Sequence, residues 1–438
     1  MRRVLMISPH FPPDSSAATH RVRLLAPYLE ECGWQPTVVT VDPDRYEGRP
    51  DPALAALVPP SLRIVRSPAW AAATTRRFGV GDLGLRSFTG LWRTSASLLS
   101  REPFDALFIT IHPVYPALLG PLLKRRFRIP YVLDYQDPWV GSWGLTVGGG
   151  VNGTADVRSR LSRAVGLWLE PIAVRGADAL TAVSVRTYED VLSRVAVRRS
   201  LPLAVIPLGW DRNDMACMRE LSPANPFFDR ADGLVHLVYV GTLLPNGVQV
   251  LERLLEGVRQ LSIEHPRLFE CLRIHFFGTS NQSSEGLPAR VLPVAERIGV
   301  ASIVTEVPSR IDYFQALTVL AQASGILLLG STDAHYTASK IYPALVAERP
   351  LLALFHQESS VVDILHRAGT EPSIRLLTYD VRDGQPLMAA SDAADALAAL
   401  AAHPEYDASR VNLAAIEDVS ARALAHRLAG VLDQVCVA

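Results

Sequence analysis

The chain has 438 residues, 49% of them apolar, enough for two or three domains with sizeable cores. Its 43 bases against 44 acids leave a net charge of −1, which argues against a general nucleic-acid binder. Cys32, Cys217, Cys271 and Cys436 stand far apart with no Cys-x-x-Cys, so neither a zinc site nor a redox pair is indicated and a reducing cytoplasm is expected.

The N-terminus, Met1-Arg-Arg-Val-Leu-Met-Ile-Ser-Pro, has too short an apolar part for a signal peptide and reads as a first strand over Val4–Ser8. No uncharged run reaches the roughly 20 residues that a transmembrane helix needs. A Pro- and Ser-rich loop follows the strand, then a helix over 18–31 closed by Gly33, then a strand over 37–41. This β-loop-α-β opening is that of a doubly wound sheet, so the 9–20 loop should face a cleft, with Arg21 pointing toward it. Asp42-Pro-Asp44 has the spacing of a metal-binding pair, but it lies among prolines with no further ligand nearby and reads as a solvated turn. Residues 61–130 hold eleven bases and three acids, a net +8, interleaved with Trp70, Phe78, Phe88 and Trp92. Such a stretch is either a surface for an anionic acceptor or membrane, or a solvated helix pair with buried aromatics.

Strands are expected over 106–111, 131–133, 179–182 and 203–206, with helices over 115–126, 156–175 and 185–195. The loop containing Gly148-Gly-Gly150 is read as flexible. His112, Asp137 and Trp139 then fall on carboxyl-edge loops. The prolines and Gly233 in 208–233 suggest a linker between a first domain, 1–207, and a second, 234–405, with 406–438 a helical segment packing back across them. In the second half, strands are expected over 235–240, 273–277, near 304, over 325–329 and over 351–354. The helices between them are placed at 248–261, 291–298 and 311–323, with 391–402 and 409–436 closing the chain. Only two lysines occur, Lys124 and Lys340. Lys340 sits where a helix should begin after the apolar run Gly325–Leu329, and a lysine in a helix N-terminal turn is unfavourable unless an anion is present.

Six segments together resemble the retaining glycosyltransferases of family four. They are Ser8-Pro-His-Phe-Pro-Pro13, Val132-Leu-Asp-Tyr-Gln-Asp-Pro-Trp139, Ala177-Asp-Ala-Leu-Thr-Ala-Val-Ser184, Val205-Ile-Pro-Leu-Gly-Trp-Asp211, Val238-Tyr-Val-Gly-Thr242 and Ser339-Lys-Ile-Tyr342. The resemblance implies an α/β protein of two facing Rossmann-like domains, the GT-B fold. It also implies transfer of a sugar from a UDP- or GDP-linked donor, with retention, to a glycan, lipid-linked or small-molecule acceptor, without cofactor or metal. The donor side would be held by Arg21, Gly241, Thr242, Gly278, Glu306, Val307, His335, Ser339, Lys340 and Ile341. Ser15, Ser16, His112 and Trp139 would face the acceptor, and Asp137, His112 and Lys340 would serve the chemistry. The expected setting is cytoplasmic, with peripheral contact to an anionic membrane face.

The chain departs from the family pattern in three places. His335 and Pro343 stand where members carry two glutamates eight apart. Thr242 and Asn246 stand where many have an Arg and a Lys, and Ser15-Ser-Ala-Ala18 replaces the usual Gly-Gly. A nucleotide-sugar epimerase of the same fold and a non-catalytic partner subunit are therefore the alternatives.

Overall fold

The computed structural model describes residues 1–140, 157–197, 200–280, 286–334 and 338–437. Two compact units emerge, Met1–Gly209 with Val419–Ala438, and Trp210–Asp418.

The first unit is built on β1 (Arg2–Ile7), β2 (Trp34–Val41), β3 (Arg63–Ser67), β4 (Ala106–Thr110), β5 (Tyr131–Tyr135), β6 (Ala179–Ala182) and β7 (Leu203–Val205). All pairings are parallel, in the order β3-β2-β1-β4-β5-β6-β7. Central strands such as β4 are buried along their whole length, which is why they read as unbroken apolar runs. The Leu83–Arg101 and Leu119–Phe127 helices cover one face of the sheet, and the Thr19–Leu25 helix covers the other. There it meets the Ala421–Val437 helix, whose Leu424, Leu428 and Leu432 join Val22 and Leu25 in one core. That C-terminal helix is thus integral to the first unit. The helix expected over 409–436 is shorter, because 408–410 and 413–419 form 3₁₀ turns instead.

The second unit holds β8 (Val235–Val240), β9 (Leu272–Phe277), β10 (Val304–Val307), β11 (Gly325–Leu329), β12 (Leu351–His356), β13 (Ile374–Arg382) and β14 (Gln385–Leu387). Their order is β10-β9-β8-β11-β12-β13-β14, with only β14 antiparallel. The stretch read as a linker is folded rather than free beyond Gly209. Asp211 caps the Arg212–Leu221 helix, Trp210 Nε1 donates to the Ile416 carbonyl at 2.9 Å, and Tyr313 Oη donates to Asp214 at 2.6 Å. At the crossing itself, a Cβ on Gly209 would lie 2.3 Å from the Val419 carbonyl oxygen, so only glycine fits.

A buried histidine pair joins β8 to β9. His236 Nε2 lies 3.1 Å from Asp232, and its Nδ1 lies 3.0 Å from His275 Nε2. Phe228 stacks on both imidazoles. If Asp232 accepts from His236, then His275 must donate through Nε2, which leaves its Nδ1 buried with no partner among the described residues. Burial, then the neighbouring His236 and Arg273, push the His275 pKa down to about 4 from 6.5. The unfolded chain therefore binds the extra proton between these values. This histidine's contribution is complete above pH 6.5 and is lost as pH falls toward 4, by about 3 kcal/mol. Urea unfolding followed from pH 7 to pH 4 should show that loss, and His275→Phe should flatten it; an unchanged slope in the variant would contradict the assignment.

Candidate functional site

In doubly wound sheets ligands bind beyond the carboxyl ends of the strands, where the strand order reverses. That point lies between β1 and β4 in the first sheet, and between β8 and β11 in the second.

In the first unit, His112 follows β4 and Asp137 follows β5. His112 Nδ1 lies 3.2 Å from Asp137 Oδ2, and both side chains are well exposed, at 46% and 69%. The structure adds a second pair that the sequence reading passed over. His10, three residues beyond β1, sets its Nδ1 2.6 Å from Asp14 Oδ2. Asp14 is buried and also accepts from Ser16 and Thr19. Burial alone would raise its carboxyl, but the bonds from His10, Ser16 and Thr19 outweigh it and hold the group below its ordinary value. The His10 and His112 rings lie 5.9 Å apart, and Tyr46 stacks on His10. Asp82, which caps the Leu83–Arg101 helix through the Leu85 amide, is close enough to feel both imidazoles, and burial raises its carboxyl.

Other expected residues of this unit have different work. Ser15 donates to the Arg49 carbonyl, and Ser16 serves Asp14. Trp139 packs edge-on against Tyr115 and beside Gly166, as part of the core margin. Arg21 requires a correction as a donor-binding residue. It is 1% exposed, pairs through Nε and one terminal nitrogen with the two carboxylate oxygens of Asp134, and uses the other terminal nitrogen on the carbonyls of Ile206 and Pro207. With its nitrogens committed inside the fold, it cannot also hold a phosphate. The basic stretch is likewise not one face. Arg86 is buried against the Arg45 and Trp70 carbonyls, Arg63 pairs with Glu102, Arg76 with Glu47 and Lys124 with Asp178. Trp70 and Phe78 do stay exposed, at 62% and 82%. Asp42 and Asp44 flank Pro43 at a short 3₁₀ turn after β2. Among the described residues no group of three or more His, Cys, Asp or Glu is placed to hold a metal. Nor, among the described residues, is any helix long and apolar enough to cross a membrane.

In the second unit, Lys340 reaches back to the end of β8. Its Nζ donates to Tyr239 Oη and sits 4.2 Å from the Tyr239 ring centroid. A Cβ on Gly241 would lie 3.3 Å from that Nζ, at a backbone φ of +139°, so glycine at 241 lets the lysine approach. The side chain as a whole keeps some exposure, yet its amine is desolvated, which pulls the pKa down to about 7. The helix here is Ile341–Val346, shorter than expected. Among the described residues, no partner takes the backbone N–H groups of Ser339 and Lys340. Ile341 is fully buried and its N–H is bonded to Ala338, so it packs rather than binds. Glu306 accepts from the amides of Arg290, Val291 and Leu292 and from the Thr279 hydroxyl. Its carboxylate therefore caps the Leu292–Ile298 helix and is not offered to a ligand; Val307 uses its carbonyl on the Gly278 amide. Thr242 turns its carbonyl to Tyr239 Oη. His335 lies outside the described residues. The histidine–aspartate spacing at 10 and 14 was a signal in the sequence; Tyr239 beneath Lys340, 101 residues away, was not.

Residues 16–209 match the family model of the glycosyl transferase 4-like domain. No curated protein matches the chain in sequence. Among solved structures, HepE of Anabaena in complex with UDP-glucose is 14% identical, over 99% of this chain and 98% of that one, with a TM-score of 0.53. An α,α-trehalose-phosphate synthase (UDP-forming) from Burkholderia vietnamiensis is 11% identical over 100% of both chains, at 0.60. A structure described as trehalose-6-phosphate from E. coli bound with UDP-2-fluoro glucose is 11% identical over 99% of this chain and 96% of that one, at 0.51. At such identities the likeness is one of fold: the chain has the two-unit α/β architecture of GT-B glycosyltransferases.

Proposed function

We propose that this chain is a glycosyltransferase that moves a sugar from a UDP- or GDP-linked donor to an acceptor hydroxyl, with retention of anomeric configuration. The observation that carries the reading is Lys340. It is a desolvated amine at the reversal point of the second sheet, next to a glycine and to the amides of Ser339 and Lys340, which have no partner among the described residues. These groups offer positive charge where a leaving diphosphate needs it. The glycosyl transferase 4-like match and the UDP and UDP-sugar complexes among the structural neighbours support the same donor class. No protein base is required for a retaining transfer in which the leaving phosphate takes the acceptor proton, so the committed carboxylate of Glu306 is no obstacle. If the acceptor is lipid-linked, contact with an anionic surface in a cytoplasmic setting falls to the exposed Trp70, Arg77 and Phe78.

Because side-chain and backbone N–H groups supply the charge, the reaction proceeds without metal. Incubation with UDP-glucose or GDP-mannose should release the nucleoside diphosphate, and a chelator should change the rate by less than about twofold, since a lost metal would cost several kcal/mol. Abolition by chelator with rescue by magnesium or manganese would overturn the metal-free mechanism. An epimerised donor formed without acceptor would identify an epimerase instead.

A further inference from the structure

The helix Val157–Arg175, between β5 and β6, is patterned inside out. Its inner face carries mainly small residues and a carboxylate. Gly166 is buried, and a Cβ there would lie 3.1 Å from Val140, so glycine lets the helix lie close to the rest of the first unit. Ala173 and Val174 are buried further along, and Glu170, 1% exposed, accepts from the Tyr135 hydroxyl and the Arg194 guanidinium. The large apolar residues point the other way. Leu161, Trp168 and Ile172 are 65%, 72% and 45% exposed, and their spacing of seven and four residues sets them on one face, over about 16 Å. A surface helix ordinarily shows water its polar side, so an exposed apolar row of this length marks a contact.

The Leu119–Phe127 helix packs against this one, and its Lys124 Nζ reaches the Gly176 carbonyl just past the other helix's end, at 3.0 Å. Leu122 is 44% exposed, and Arg125 and Arg126, three and four residues on, share its exposed side. Arg128 and Arg175 are exposed too. From 119 to 128 the chain has four bases and no acid, and only Lys124 among them is paired with a carboxylate, that of Asp178, among the described residues. On the other side, the Val185–Arg194 helix is joined through the Arg194–Glu170 pair and exposes Arg186 against Glu189 and Asp190, so the basic rim lies on the Leu119–Phe127 side. A second copy of this chain is a poor occupant. Symmetric pairing lays one surface on itself, which would set these arginines against each other. An anionic lipid surface answers both features, since its headgroups attract the arginines and its interfacial zone takes Trp, Leu and Ile.

We propose that the first unit docks on an anionic membrane through this surface, with Leu161, Trp168 and Ile172 seated among the headgroups and Arg125, Arg126 and Arg175 on the lipid phosphates. The helix lies along the interface and does not span it. The contact uses residues other than Trp70, Arg77 and Phe78, needs no lipid-linked acceptor, and does not rest on the transfer reading.

The test is co-sedimentation of the full chain with vesicles of phosphatidylcholine, alone or with phosphatidylglycerol added, at low and high salt. Wild type should sediment with the anionic vesicles at low salt, come off at high salt, and ignore phosphatidylcholine alone. Trp168→Ser combined with Ile172→Ser should weaken binding to the anionic vesicles at least about tenfold, from the apolar area no longer buried. Arg125→Gln combined with Arg126→Gln should weaken it about 25-fold, about fivefold for each base, and flatten the salt dependence. All four positions are at the surface, so both variants should keep the wild-type Tm. Trp70→Ser combined with Phe78→Ser should lose less than either. A wild-type chain that stays off anionic vesicles would overturn the proposal, and that is the result an acidic protein partner would give. Binding that both helix variants retain, or that only the Trp70 and Phe78 changes abolish, would overturn it as well. A dimer that the Trp168 and Ile172 changes dissolve, with vesicles unbound, would give the face to self-association instead.

Discussion

Arg21→Met should cost the first unit about 3–5 kcal/mol, the range for removing one partner of a buried ion pair. In a unit of this size that corresponds to a fall in Tm of roughly 6–20 °C. The reason is geometric. Arg21 and Asp134 are 1% and 0% exposed, and the guanidinium ties the Thr19–Leu25 helix to the ends of β5 and β7. With the arginine gone, the Asp134 carboxylate keeps, among the described residues, only the Thr181 hydroxyl as a side-chain partner. Asp134→Asn should be comparably damaging, because it strands the arginine instead. Removing both charges together, as in R21M/D134L, should recover much of the loss, since well-packed apolar residues can replace a buried pair at little cost. Differential scanning calorimetry of wild type, Arg21→Met, Asp134→Leu and the double variant checks the cycle. The same variants decide the role of Arg21: a structural arginine loses stability and leaves nucleotide affinity alone, whereas a phosphate-binding arginine would do the reverse.

Lys340→Ala should weaken UDP or GDP binding roughly 10- to 150-fold, the equivalent of 1.5–3 kcal/mol for a hydrogen bond to a charged group. The ligand-free protein should be no less stable for it. The amine takes its proton at about pH 7 in the fold against 10.5 unfolded. Between these values the unfolded chain binds the extra proton, so this group alone makes stability rise with pH across that window. Below pH 7 it is a charged group held with too little water, and its loss removes a cost. Tyr239 Oη keeps its bond to the Thr242 carbonyl. An arriving diphosphate reverses the balance by favouring the ammonium. Above pH 7, where the terminal phosphate is already ionised, affinity should therefore fall as pH rises and binding should take up a proton. Titration calorimetry in two buffers of different ionisation enthalpy measures that proton directly.

The alternation of strand and helix in both halves was legible because parallel strands buried on both faces cannot avoid long apolar runs. Edges were harder. β3, Arg-Ile-Val-Arg-Ser, lies at a sheet margin where its arginines stay partly solvated, and it has no apolar run to show. β13 and β14 were missed although Asp383-Gly384 between them is a hairpin signal, with φ of +52° and +74°. In the site, residues near one another in sequence could be paired by eye: His10 and Asp14 are four apart. Contacts across the sheet could not be read this way. Arg21 was read as pointing toward the 9–20 loop, yet its guanidinium turns to an aspartate 113 positions away. The Lys340 motif could be recognised, but its burial, its contact with Tyr239 and its approach over Gly241 exist only in the fold.

The lysine count makes the central claim directly measurable. With only Lys124 and Lys340 in the chain, lysine labelled with ¹³C at Cε and ¹⁵N at Nζ gives two side-chain signals, which Lys340→Ala assigns. Lys124, bound to Asp178 and the Gly176 carbonyl in the first unit, serves as the internal reference. In the free protein the Lys340 signal should titrate near pH 7. Saturating UDP or GDP should carry that midpoint upward by a unit or more, about 1.4 kcal/mol per unit, and leave Lys124 unmoved. A Lys340 signal indifferent to a nucleotide that calorimetry shows to be bound would place the diphosphate elsewhere and contradict the site.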